Sequence, residues 1–213
     1  NVVKDTSGNG YDATINNGEV KVVDGQSFLV LNGNGVLETP LETIGYPYTV
    51  SFDIAANGNN ANATLFEGYD GKLLAQGSDG TITIQRSFYT QSSGYQLSTV
   101  MKHIDIVGTA QNTKIYVDGQ LVKMFANVNE AGNPDDYWTT FVLPLEKIAH
   151  KFNGLIGNIN VYNKAFSYDA IGKDANTVEN VNVALNANVY TNRLNHNNPS
   201  LNSGEVKRHP AWK

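Results

Sequence analysis

Apolar and polar residues alternate in short runs through most of the first 170 positions, and turn residues punctuate the runs. At positions 48–55, Val50, Phe52 and Ile54 fall on one face while Ser51 and Asp53 fall on the other, which is the period-2 pattern of a β-strand. Comparable runs occupy 20–23, 27–31, 64–68, 72–76, 81–89, 103–108, 113–117, 121–125 and 155–162. Between them lie Asp24-Gly25, Asn32-Gly33-Asn34-Gly35, Asp70-Gly71, Asp79-Gly80 and Asp118-Gly119. Such pairs supply the positive φ that a tight hairpin turn requires. Only 144–152 and 167–171 carry a helical pattern, and both are short. No strand–helix rhythm exists, so a doubly wound sheet is disfavoured and an all-β sandwich or barrel is expected.

Composition supports that reading. Asn makes up about one residue in eight, and there are 20 Gly among 213 residues, both suited to many turns. The absence of cysteine excludes a disulfide framework, a thiolate zinc site and a cysteine nucleophile. A net charge of −5 with 15 Lys+Arg offers no electrostatic case for nucleic acid or anionic lipid. No apolar run approaches the roughly 20 residues of a membrane helix. After position 171 the character changes, and 172–178 read as a linker to an Asn-rich tail at 179–213.

Three ordered motifs resemble the laminin-G-like, concanavalin A-like module family. Asp5-Thr6-Ser7-Gly8-Asn9-Gly10 is similar to its Asp-x-Ser-Gly-Asn-Gly opening. Ile115-Tyr116-Val117-Asp118-Gly119-Gln120-Leu121-Val122 resembles its central hairpin, and residues 154–167, ending Tyr162-Asn163-Lys164-Ala165-Phe166-Ser167, resemble its closing strand. The resemblance implies a two-sheet antiparallel jelly-roll sandwich over residues 1–171. More narrowly, Tyr46 to Ile54 with Leu65-Phe66-Glu67-Gly68-Tyr69-Asp70-Gly71 resembles the accessory sandwich of bacterial glycoside hydrolase family 20 enzymes, β-N-acetylhexosaminidases and lacto-N-biosidases. The tail, with Asn182 to Tyr190 and His209-Pro210-Ala211-Trp212-Lys213, resembles the truncated start of a discoidin-like, galactose-binding domain. A segment of a secreted or cell-surface bacterial multimodular glycosidase is therefore expected.

Candidate chemistry is sparse. A retaining glycosidase needs two carboxyl groups about 5–5.5 Å apart, and same-face acidic pairs of the glucanase type are absent. Glu67 and Asp70 have odd spacing, Asp135-Asp136 sit in a Pro134 loop, and Gly33-Asn34-Gly35 lacks the Lys and helix of a phosphate loop. His103, His150, His196 and His209 show neither metal spacing nor a Ser/Asp neighbourhood in sequence, so no catalysis is expected. The opening loop could hold a structural calcium ion through Asp5, Asn9 and Asp12. Gly157 stands where the family's closing strand carries an acidic ligand, and an Asx-type turn is the competing explanation of the loop.

Sugar sites pair an aromatic face, which stacks on the C–H face of a pyranose, with amide or guanidinium hydrogen bonds. Gln85, Arg86 and Tyr89 in the 81–89 run, with Tyr95 after it, form one candidate surface; Trp138, with Tyr137 and Tyr69, forms a second. The expected partner is a galactose- or N-acetylhexosamine-containing glycan, or the neighbouring catalytic domain if the module is a structural spacer. A monomer that needs no cofactor, and neither nucleic acid nor membrane insertion, completes the expectation.

Overall fold

The computed structural model describes residues 1–58, 60–69, 71–74, 80–86, 89–126, 142–171 and 181–182. In chain order the strands are β1 (Val2–Val3), β2 (Ala13–Asn16), β3 (Glu19–Val23), β4 (Gln26–Asn32), β5 (Val36–Glu38), β6 (Thr43–Ile44), β7 (Tyr48–Ala56), β8 (Thr64–Gly68), β9 (Gly71–Leu74), β10 (Thr83–Arg86), β11 (Tyr89–Ser92), β12 (Lys102–Gly108), β13 (Asn112–Val117), β14 (Gln120–Ala126), β15 (Leu143–Pro144), β16 (Lys147–His150), β17 (Asn153–Tyr162) and β18 (Val181–Asn182). The first sheet has the order β1-β2-β5-β16-β8-β9-β10-β11. The second runs β14-β13-β12-β7-β17-β4-β3, with β18 added along β17 and a small β15-β6 pair beside the sheets. The two large antiparallel sheets pack face to face as a jelly-roll sandwich.

Alternation decides which side chains fill the space between them. From the second sheet come Leu29, Val50, Phe52, Ile54, Ile104, Ile106, Ile115, Ile156, Ile159 and Val161; from the first come Leu37, Leu65, Phe66, Ile84 and Ile148, all buried in one cluster. Phe52 and Phe66 meet edge to face with ring centroids 5.3 Å apart, so the core is bridged at its middle by an aromatic pair. Asp24-Gly25 and Asp118-Gly119 close two-residue hairpins with positive φ at both positions, matching the right-handed twist of the strands they join.

Two expectations about elements are corrected. Residues 144–152 are not helical: β16 is an inner strand held by β5 and β8, and Ala149 and Lys151 take positive φ. Pairing on both edges and burial of Ile148 outweigh the local pattern. The 81–89 run is not one strand, because the chain reverses between Arg86 and Tyr89, pairing those two residues across a hairpin. Residues 167–171 form a single 3-10 turn, Tyr168–Ala170. The tail expected at 179–213 lies outside the described residues except at β18, where Val181 and Asn182 pair with Val161 and Asn160. Among the described residues no helix is long and apolar enough to cross a membrane.

Because Phe52 is fully buried at the seam of the two sheets, truncating it to Ala should cost about 3–5 kcal/mol. Urea unfolding of the two proteins, followed by tryptophan-independent circular dichroism, checks this.

Candidate functional site

The two outer faces of the sandwich differ in kind. Across the first sheet, register places Thr14, Glu38, Lys147, Glu67, Lys72, Gln85 and Thr90 side by side. This is a row of alternating charge running into neutral residues, as expected of a face toward water. Burial opposes ionisation of Glu67, but His150, 2.8 Å away, Lys72 and Lys147 hold its carboxyl below the ordinary range. Gln85 belongs to this row, with Ile84 beside it turned into the core. Tyr95 packs half-buried against the core beside Lys102 and Asp118 of the second sheet, and its phenol is pushed up chiefly by burial. Ile82 N donates to Tyr95 O at 2.7 Å, so Tyr95 lies beside the start of β10, while its side chain packs on the core and Gln85 belongs to the outer row. The side chains of Arg86 and Tyr89, and all of Tyr137 and Trp138, lie outside the described residues. Tyr69 projects from the β8–β9 turn almost fully exposed.

The outer face of the second sheet is mostly buried, and its rows change character along the strands. One row is Val30, Leu155 and Ala55, aliphatic residues on adjacent strands. The next joins His103, Asp53 and Gly157, and the one after it Asp105, Ser51 and Asn160. Beyond these lie Val107, Thr49 and Tyr162, covered by the segment that follows β17. Thr49 Oγ1 donates to Lys164 O at 2.7 Å and accepts from Phe166 N at 3.0 Å, while Phe166 packs on Tyr162 at 4.7 Å.

The middle rows hold a network that strand spacing conceals in the sequence. His103 Nδ1 lies 2.6 Å from Asp53 Oδ1, and its Nε2 lies 3.1 Å from Ser51 Oγ and 3.3 Å from Asp105 Oδ2. A β-bulge between Gly157 and Asn160, with Asn158 at φ 49, lets Asn158 Nδ2 donate to Asp53 Oδ2 at 2.5 Å. Ser51-x-Asp53 and His103-x-Asp105 are same-face pairs on neighbouring strands. The i, i+2 spacing is the one sequence signal for them, and it does not show that the two strands are neighbours.

Ser51, His103 and Asp53 have the connectivity of a hydrolase triad, but not its chemistry. A general base must be neutral with a free Nε2. Burial alone would push the His103 imidazole down, yet Asp105 and Asp53 outweigh it and raise its pKa to about 9. The imidazole is therefore charged at neutral pH, and Asp105 competes with Ser51 for Nε2. β7 is paired on both edges, by β12 and β17, so its amides are engaged in the ladders rather than aimed at an oxyanion. The network is a buried ion cluster that orients three strands.

A shallow cavity of about 320 Å3 opens where the aliphatic row meets the strand ends, lined by Val30, Ala55 and Leu155 with Asn57, Thr99 and Asn153 at its polar edge. Buried Asn60 holds this edge: its Nδ2 donates to Asn153 O at 3.0 Å and its Oδ1 accepts from Asn153 N at 2.6 Å. Asn153 O also accepts from Asn57 N at 2.8 Å. An apolar floor and amide side chains on a backbone held in place are the parts of a small-ligand site. The sequence patterns that drew attention to tyrosines did not point to it, because its polar groups come from three chain segments.

The opening loop is closed by its own donors. The Asp5 carboxylate accepts from Ser7 N (2.8 Å), Ser7 Oγ (2.7 Å) and Tyr11 N (3.0 Å), and Asn9 Nδ2 donates to Ser7 Oγ. Asp12 accepts from Asp5 N and is ion-paired with Lys4. In this arrangement Asp5 serves as an Asx-turn acceptor and Asp12 is paired with the exposed Lys4, so the turn accounts for the carboxylates that the calcium expectation named. Among the described residues no three His, Asp or Glu side chains are grouped to hold a metal. At Gly157 an added Cβ would lie 2.7 Å from the Phe28 ring, so the family's acidic residue has no room there.

No protein-family model matches the chain, and no curated protein matches it. Solved structures do. Domain 4 of AbnA, a GH43 extracellular arabinanase from Geobacillus stearothermophilus, solved in complex with arabinotriose, is similar with TM-score 0.59 at 20% identity, over 80% of this chain and 91% of that one. The binding domain of Paraclostridial Mosquitocidal Protein 1 is similar with TM-score 0.53 at 14% identity, over 81% of this chain and 51% of that one. Trypanosoma rangeli sialidase is similar with TM-score 0.51 at 17% identity, over 76% of this chain and 29% of that one. At these identities the likeness is one of fold, and the fold is the β-sandwich of such modules.

Two outcomes follow from the network and the loop. Below the unfolded imidazole's pKa of about 6.5 the raised value contributes its full stability, which is lost as pH rises through about 9. Thermal melts from pH 6 to pH 9.5 should therefore fall, and His103→Ala should flatten the slope while costing about 3–5 kcal/mol at pH 6, since it strands two carboxylates. Asp5→Ala should cost about 1–3 kcal/mol, by the same amount in calcium and in chelator. A chelator-dependent difference between wild type and variant would return calcium to the loop.

Proposed function

We propose that this chain is a non-catalytic carbohydrate-binding or carbohydrate-associated accessory module of a secreted or cell-surface bacterial glycosidase, of β-N-acetylhexosaminidase or lacto-N-biosidase type. The observation that carries the proposal is the cavity of the second sheet. Its aliphatic floor suits the C–H face of a pyranose or the methyl of an acetamido group, and Asn57 and Asn153 can both donate to and accept from hydroxyls. Holding the edge with Asn60 lowers the ordering cost of binding. The sequence resemblance to family 20 accessory sandwiches supports the parent enzyme type, and the fold shared with an arabinanase domain solved with arabinotriose supports a sugar ligand.

A structural spacer is the second reading, and one observation favours it. Edge strand β3 exposes Val20, Val22 and Val23, an open edge of the kind natural sheets usually cover. Gln85, Arg86, Tyr89, Tyr95 and Trp138 remain candidates for sugar contact.

Calorimetric titration of the 213-residue chain with galactose- and N-acetylhexosamine-terminated oligosaccharides separates these readings. Asn57→Ala or Asn153→Ala should each weaken binding about tenfold or more, near 1.4 kcal/mol, without lowering the melting temperature in proportion. Weakening by Gln85→Ala or Trp138→Ala instead would move the site. No binding by wild type, together with loss of parent-enzyme activity on deletion of the module, would favour the spacer.

A further inference from the structure

We infer that the cavity selects neutral sugars and rejects acidic ones; this deepens the glycan reading above and rests on it. Recognition of a carboxylate or sulfate needs a guanidinium, an ammonium or converging backbone N–H groups. None of the residues lining the cavity is charged; its polar side chains are the amides of Asn57 and Asn153 and the hydroxyl of Thr99. The backbone donors at its mouth are committed: Ala56 N to Ser98 O, Asn57 N to Asn153 O, and Asn153 N to Asn60 Oδ1. A nest of free N–H groups is therefore not available there.

The charge beside the floor acts in the same direction. Asp53 lies in the next row on the outward face of β7, two residues before Ala55, which is about 7 Å. Asp53 and Asp105 both face one imidazolium, His103, so carboxylates outnumber cations in the described part of this cluster. Lys102, on β12 opposite Ile54, is bound to Asp118 at 2.8 Å. Among the described residues an anionic ligand would meet no cation in the lining and would face a carboxylate pair in the next row, whereas a neutral polyol meets amides able to exchange hydrogen bonds with it.

The test titrates the full chain with N-acetyllactosamine and with its sialylated counterpart, at about 0.02 M and about 0.5 M salt. The neutral sugar should bind at least about tenfold tighter at low salt, and the gap should narrow as salt screens the charge. Thr99→Arg, at an exposed position on the cavity's edge, should raise affinity for the sialylated probe selectively. Equal or tighter binding of the sialylated probe by wild type overturns the selectivity and leaves glycan binding intact. A salt-independent gap that Thr99→Arg does not change overturns the electrostatic basis. Silence with both probes overturns the glycan reading itself, and the selectivity with it.

Discussion

Strand β7 sets the terms for the rest of the molecule. All nine of its residues are buried and both its edges are paired. Its inward side chains, Val50, Phe52 and Ile54, are apolar and join the core. Its outward ones, Thr49, Ser51 and Asp53, are polar and must find partners or cost free energy. Each partner comes from a different neighbour: the backbone after β17 for Thr49, His103 for Ser51 and Asp53, and the bulged Asn158 for Asp53. Satisfying these three residues draws β12, β17 and the segment around Phe166 into one fixed arrangement.

The same constraint explains the differing use of the two outer faces. The first sheet carries a ladder of partly exposed charges that would lose hydration under any cover. The second buries its ions in its middle and leaves an aliphatic row only at one end. That end is where Asn60 fixes a polar edge, so the open, preorganised part of the surface is narrow. The recognition role proposed above accordingly rests on a neutral patch of modest size.

Much of the sandwich was legible in the residues. Runs such as 48–55, 64–68 and 103–108 fall on strands because period-2 alternation and Asx-Gly turns are local signals. The helical expectation at 144–152 failed because Ile148 and its neighbours are held by strands more than 75 positions away in sequence on one side and 100 on the other. The 81–89 run was overextended because a reversal can occur without a Gly-bearing turn. The calcium expectation rested on residue types, whereas the pairing of Asp12 with Lys4 and the Asx turn on Asp5 are contacts that only the folded loop displays.

Sequence alone determined the all-β class, the positions of most central strands and the lack of thiol chemistry. Those properties depend on neighbours one to four positions apart, which a linear pattern displays directly. Only the tertiary structure decided that Ser51, Asp53, His103, Asp105 and Asn158 share one network. Only it decided that Asn57, Thr99 and Asn153 edge one cavity, and that Gly157 must be small. These depend on strand register and on a bulge, and register is set by the packing of whole sheets, so one residue of slip would have turned each side chain to the opposite face.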